Sequence, residues 1–216
     1  MVTRWHKGQV RGEAILQRGR TIGLFGGSFN PAHEGHLYIA KAALQRLGLD
    51  EVWLLVSPGN PLKPKTGMAP FKERFASAAS LVGQHPAIRV RQIEKILGTR
   101  YSADTICALK NELPGTKFIW LMGADNLTNF HLWHRWEYIA QSIPIAVFDR
   151  SEYALHSLKL NLAGKYARYR VAPSKLKTAN TPAWSYVTIA RHAGSATNIR
   201  NQHGDNWFAN EKRKDT

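Results

Sequence analysis

Eleven consecutive residues, Gly26-Gly27-Ser28-Phe29-Asn30-Pro31-Ala32-His33-Glu34-Gly35-His36, concentrate the chemistry of this chain. Gly26 and Gly27 permit a backbone to come close to a phosphate. A helix starting just after them turns unpaired N–H groups and a positive dipole end toward the same anion. His33 and His36 stand at that helix entrance. The run matches neither the dinucleotide-binding G-x-G-x-x-G nor the P-loop G-x-x-x-x-G-K-[ST]. A zinc protease motif, H-E-x-x-H, spaces its histidines by four, whereas these are three apart with no third ligand in sight, so no metal site is predicted. One histidine in such a loop could simply cap or pack; two of them among Gly, Asn and Pro favour phosphate handling.

Two further residues have chemistry open to them by position. Lys63, in the Asn60-Pro61-Leu62-Lys63-Pro64 loop, could reach a phosphate or equally be a solvated lysine. Asp125 closes a strand, where its carboxylate could accept from a ribose hydroxyl or cap a helix with the same oxygen. Cys107, in an apolar helix, reads as a small buried hydrophobe.

These groups need a scaffold, and the hydrophobic pattern supplies one. Residues 21–25 read as a buried strand, and Leu37, Ala40, Leu44 and Leu47 recur at helical spacing up to Gly48, a helix stop. Strands over 52–56, 88–93, 118–122 and 145–148 alternate with helices over 71–82, 102–111 and 132–141. Past Arg150 the pattern weakens to a helix over 153–162 and a strand over 184–189. Continuous apolar strands between helices predict an α/β fold, a Rossmann-like doubly wound parallel sheet with helices on both faces. Such sheets bind ligands beyond the carboxyl ends of their strands, so the loops after Phe25, Val56 and Met122 line the expected site.

The 216 residues, 44% hydrophobic, suffice for one core and carry a formal charge of +15 that points to anionic partners. A single cysteine and the lack of a secretory or membrane-spanning apolar run fit a reducing, cytoplasmic setting with no membrane partner. Residues 1–20 read as a flexible basic extension, 21–200 as the working domain and 201–216 as a polar tail.

The Gly26–His36 run is complete as the signature of the H-x-G-H nucleotidyltransferases, and the chain resembles the nicotinate-mononucleotide adenylyltransferases among them over residues 21–200. Gly123-Ala124-Asp125-Asn126-Leu127, followed by Trp133 and Trp136, is similar to the family's segment after the fourth strand. Tyr101-Ser102-Ala103-Asp104-Thr105 and Ser195-Ala196-Thr197-Asn198-Ile199-Arg200 resemble its Ser-Tyr-Thr-x-Asp-Thr and Ser-Ser-Thr-x-Ile-Arg motifs, with Ala196 in place of a serine. The resemblance implies catalytic roles for His33, His36 and Arg200. It implies substrate contacts from Gly26, Gly27, Ser28, Phe29, Asn30, Lys63, Asp104, Thr105, Gly123, Asp125, Ser195 and Thr197, and stacking of Trp133 on a pyridine ring. The family continues into an apolar closing helix that the tail here lacks.

The chemistry agrees. A mononucleotide phosphate, with a second pKa of roughly 6, is already a dianion near neutrality and needs no base. Catalysis then means bringing two anions in line and stabilising charge on the α-phosphate and departing pyrophosphate, with Mg²⁺ carried in by ATP rather than by dedicated ligands. The expected partners are ATP and nicotinate mononucleotide. Phosphopantetheine adenylyl transfer and cytidylyl transfer are rivals within the family. A nucleic-acid-binding module ranks far below them, because no recognised motif supports it. Oligomeric state stays open, a homo-oligomer included.

Overall fold

The computed structural model describes residues 17–59, 66–149, 162–190, 196–204 and 207–208. Six strands, β1 (Thr21–Gly27), β2 (Glu51–Val56), β3 (Ile88–Arg91), β4 (Lys117–Gly123), β5 (Ile145–Asp149) and β6 (Trp184–Thr188), form one sheet in the order β3-β2-β1-β4-β5-β6. All neighbours pair in parallel. Alternate side chains feed two cores because strand residues point to opposite faces. Ile22, Leu24, Trp53, Trp120 and Met122 enter one core, while Phe25, Leu54, Ile119 and Leu121 enter the other. Both faces are covered, which is why β2 is buried along its whole length and carries no polar alternation.

Helices α1 (Glu34–Leu47) and α2 (Phe71–Val82) cover the second core; α3 (Ile93–Leu97), α4 (Ser102–Glu112) and α5 (Trp136–Ser142) cover the first. Short α6 (Leu162–Lys165) and α7 (Ala196–His203) complete the helices among the described residues. Helix α1 stops where the pattern predicts, at Gly48, whose left-handed φ of 62° lets its N–H return to the Leu44 carbonyl.

The structure departs from the sequence reading at two boundaries and at Cys107. The expected strand over 88–93 ends at Arg91, and Ile93 begins helix α3. An apolar run this short does not distinguish strand from helix, and Ile93 is buried either way. The expected helix over 132–141 is divided: Ala124–Leu132 is a 3-10 helix, Arg135 adopts a left-handed φ of 52°, and α5 starts only at Trp136. Cys107 is half-buried rather than enclosed. The expected helix over 153–162 lies outside the described residues apart from Leu162, which opens α6.

At the amino end, residues 17–20 belong to the packed structure, although the pattern groups them with the extension; residues 1–16 lie outside the described part. Gln17 is buried and its carbonyl accepts from Thr116 Oγ1 at 2.9 Å, and Gly19 N–H donates to the Gly115 carbonyl at 2.8 Å. Arg20 Nη1 reaches Glu51 Oε1 at 3.0 Å, while Trp53 Nε1–H donates to the other carboxylate oxygen at 2.7 Å. Glu51 is 4% exposed, so losing Arg20 leaves its charge with one neutral donor. Arg20→Ala therefore lowers unfolding free energy by about 1–2 kcal/mol, discounted for the partial exposure of the arginine and measured by urea denaturation.

Candidate functional site

The strand order reverses between β1 and β4, and a cavity of about 790 Å³ opens beyond their carboxyl ends. Gly26, Gly27, His36, Gly123, Asp125 and Trp133 are on its wall. Gly26 is glycine because a Cβ there would stand 2.7 Å from the Trp120 ring, which floors the cavity. Phe29 holds a left-handed φ of 49°, a strain offset by burial and by edge contacts with Phe25 at 5.9 Å and His36 at 4.9 Å.

The two histidines form the cap of α1. His33 Nδ1 accepts from Gly35 N–H at 3.1 Å, and His36 Nδ1 accepts from His33 N–H at 3.2 Å, a reciprocal capping box with rings 3.8 Å apart. Because each Nδ1 is an acceptor, each neutral imidazole carries its proton on Nε2, as a hydrogen-bond donor. His36 lines the cavity; His33 is buried behind it.

Arg74, 1% exposed on α2, binds the loops beneath the site together. Its guanidinium donates to the carbonyls of Ser28 at 2.6 Å, Ser57 at 2.7 Å, Ala69 at 2.9 Å and Pro58 at 3.1 Å. Nearby, Glu94 lines the cavity at 5% exposure. Burial pushes its carboxyl up to about 7, against a hydrogen bond from Ser57 and the attraction of Arg74.

At the β4 end, Trp133 is half-buried, meeting Phe130 at 5.3 Å and Trp120 at 6.0 Å edge-on, and still lines the cavity. Tyr101 and His134 stack beside it with rings 4.4 Å apart, and Arg100 and Ser102 complete that wall. Ser28, Phe29, Asn30 and Arg200 also line the space. Thr197 is exposed and accepts from Arg200 at 3.4 Å, supporting the arginine rather than facing the cavity.

Two expected contacts are placed elsewhere. Thr105 is fully buried, bonded to Thr99 Oγ1 at 2.7 Å and donating to the Tyr101 carbonyl at 3.2 Å, so it braces the loop before α4. Asp104 pairs with Arg135 at 3.3 Å on the surface, outside the cavity wall. Both lie on α4, whose start rather than its body faces the site. Lys63 and Ser195 lie outside the described residues.

Arg74, Glu94, Tyr101 and His134 escaped the sequence reading. Arg74 had a signal, a charged residue on the same helical stripe as Phe71, Ala78 and Val82. Glu94 had none, since it follows the run read as a strand over 88–93 and falls in no predicted element.

A histidine-capped helix at the topological switch, with glycine strand ends and an aromatic wall, is a nucleotide-handling layout, and residues 24–202 match the cytidylyltransferase-like family. The chain belongs to that family. A protein of Bradyrhizobium sp. (strain ORS 278), named probable nicotinate-nucleotide adenylyltransferase, is 47% identical over 186 residues, covering 85% of this chain and 96% of the relative. One of the same name from Agrobacterium fabrum is 43% identical over 185 residues, covering 84% and 98%. A solved structure of Plasmodium falciparum nicotinic acid mononucleotide adenylyltransferase with NaAD shares the fold, with a TM-score of 0.65 at 15% identity, covering 84% of this chain and 83% of that one. Among the described residues no helix is long and apolar enough to cross a membrane.

Glu94 gives the family site a measurable pH signature. A carboxyl with a raised folded pKa favours the native state below its unfolded pKa, ordinarily near 4.5, and that contribution is lost as pH rises toward about 7. Glu94→Gln stays neutral throughout. Its stability relative to the parent therefore improves by about 1–3 kcal/mol from roughly pH 5 to pH 8, read from urea midpoints at the two values.

Proposed function

We propose that this chain transfers AMP from ATP to nicotinate mononucleotide, giving nicotinate adenine dinucleotide and pyrophosphate in a cytoplasmic step of NAD biosynthesis. The observation that carries it is the shared cavity, which brings His36 of the α1 cap and the Trp133, Tyr101 and His134 wall to one space. The names of relatives sharing nearly half their residues across almost their full length support the choice of substrate. A phosphate oxygen of the mononucleotide attacks the α-phosphorus of ATP. A new P–O–P bridge forms as the bond from that phosphorus to the bridging oxygen of pyrophosphate breaks.

The nucleophile is already ionised, so the residues position and stabilise rather than remove a proton. His36 offers its Nε2–H toward the α-phosphate, His33 holds His36 through the cap, and the first N–H groups of α1 add their dipole. Gly26 and Gly27 let the chain pass close to phosphate, and Arg200 meets the triphosphate. Asp125, exposed in the first turn of the 3-10 helix after β4, accepts from a ribose hydroxyl, and Trp133 stacks on the pyridine ring. Mg²⁺ enters as part of the MgATP substrate.

Pyrophosphate release is measured with MgATP and, in turn, nicotinate mononucleotide, nicotinamide mononucleotide and phosphopantetheine, with CTP replacing ATP in a parallel set. Turnover of nicotinate mononucleotide with ATP is expected to dominate; fast turnover of phosphopantetheine with no pyridine-nucleotide reaction overturns the proposal.

Two substitutions separate the roles. His36→Ala lowers kcat by about a hundredfold or more while ATP affinity changes far less, because its donor acts on charge that develops in the transition state. Its kcat shows no recovery at alkaline pH, since no proton transfer is lost. Trp133→Ala mainly raises KM for the pyridine nucleotide, by about tenfold, as loss of a stacking platform removes binding shared by ground and transition states. Steady-state kinetics on folded variants across mildly acidic to mildly alkaline pH measures both.

A further inference from the structure

Ala196 and Arg200 of the carboxyl-terminal segment line the cavity, and Asn30 is where the segment attaches. Asn30 Nδ2–H donates to the Gly67 carbonyl at 2.8 Å, and its Oδ1 accepts both Ala69 N–H at 3.1 Å and the Trp207 indole N–H at 3.3 Å. Its backbone carbonyl accepts from the Arg200 guanidinium. One residue of the loop after β1 thus receives two side chains from the same segment, Arg200 within α7 and Trp207 beyond it.

The geometry of the segment explains how both arrive. Helix α7 is eight residues long, too short to persist without an anchor. At its end Gly204 takes a left-handed φ of 73° and its N–H returns to the Arg200 carbonyl at 2.7 Å. Beyond that turn Trp207 is 3% exposed, with its indole N–H on Asn30 and its ring edge-on to Phe208 at 5.7 Å. Arg200 itself is held by two neutral oxygens, the Asn30 carbonyl and Thr197 Oγ1. Neutral acceptors fix a guanidinium in place without cancelling its charge, which remains available to an anion.

We propose that Trp207 is a positioning residue for Arg200: seated on Asn30, it makes the second point of a two-point attachment that sets the guanidinium for the triphosphate of ATP. This rests on the reading of Arg200 as an ATP contact. The aromatic anchor lies outside the Ser195–Arg200 motif, in a tail whose composition signals no packing. With one point of attachment the helix can pivot about Arg200; with two it cannot.

The test uses Trp207→Phe, which keeps a ring and loses the N–H, and Trp207→Ala, each in the parent chain and in Arg200→Ala. Trp207→Ala is expected to raise KM for ATP about fivefold to twentyfold, and Trp207→Phe about twofold to fivefold, with KM for nicotinate mononucleotide within about twofold of the parent. In the Arg200→Ala background neither adds to the ATP effect, the non-additivity of groups acting as one unit. An equal rise in both KM values, or an undiminished ATP effect without Arg200, overturns the proposal. Amide exchange over residues 196–203, measured without substrates, tests the attachment by itself. Faster exchange in both variants supports it, and unchanged exchange overturns it. Faster exchange with unaltered ATP kinetics means instead that the attachment is real and that Arg200 is not the ATP contact. If Trp207→Ala does not fold, Trp207→Phe supports the same comparisons.

Discussion

A guanidinium taken out of water must have its donors met by acceptors, and in this protein that demand organises the ground under the active-site cavity. Arg74 finds its acceptors in four backbone carbonyls, which come from the loop after β1, the loop after β2 and the segment leading into α2. Loops ordinarily keep their polar groups toward solvent. Here Ser28, Ser57, Pro58 and Ala69 turn their carbonyls inward to a common cation, so three otherwise independent stretches are held at fixed spacing. The glycines proposed to meet phosphate, Gly26 and Gly27, precede Ser28 on that platform. Glu94 beside it stays largely protonated below neutrality, because carbonyls already satisfy the arginine and burial disfavours a second full charge.

The alternation of strands and helices and the glycine–histidine loop were legible in the sequence because each leaves a local trace. Continuous apolar strands, the helix stop at Gly48 and the glycine–histidine run all express constraints that act within a few residues. Side chains that depend on distant partners were not legible. Thr105 belongs to a recognisable motif, yet which face of α4 it occupies is decided by the packing of Ala103, Ile106 and Leu109 against the sheet. Gln17 carries no periodicity, and its burial comes from the Gly115–Thr116 turn nearly a hundred residues away. Trp207 and Phe208 form a short aromatic pair in an otherwise polar tail, with no periodicity to say what they pack on, and the partner of the Trp207 indole, Asn30, lies 177 positions away.

Charge in the site follows the same economy. The formal +15 of the chain is a long-range attraction for anions, but it does not aim them. In the proposed reaction, aim comes from uncharged groups: the helix cap, the glycine N–H groups and the carbonyl that holds Arg200. Preorganised dipoles of this kind need little rearrangement when charge appears on a phosphoryl oxygen.

The reciprocal cap of α1 has a consequence for how the protein ages under heat. His33 and His36 satisfy the backbone that starts the helix, and His36 is also presented to the cavity. Helix ends are where local opening begins, with free energies far below that of global unfolding. Fraying of this one turn would rotate both imidazoles away while the sheet stayed intact. With His36 in its proposed role, opening of that turn would take its donor out of the cavity before the sheet unfolds, so activity would be lost ahead of the bulk fold.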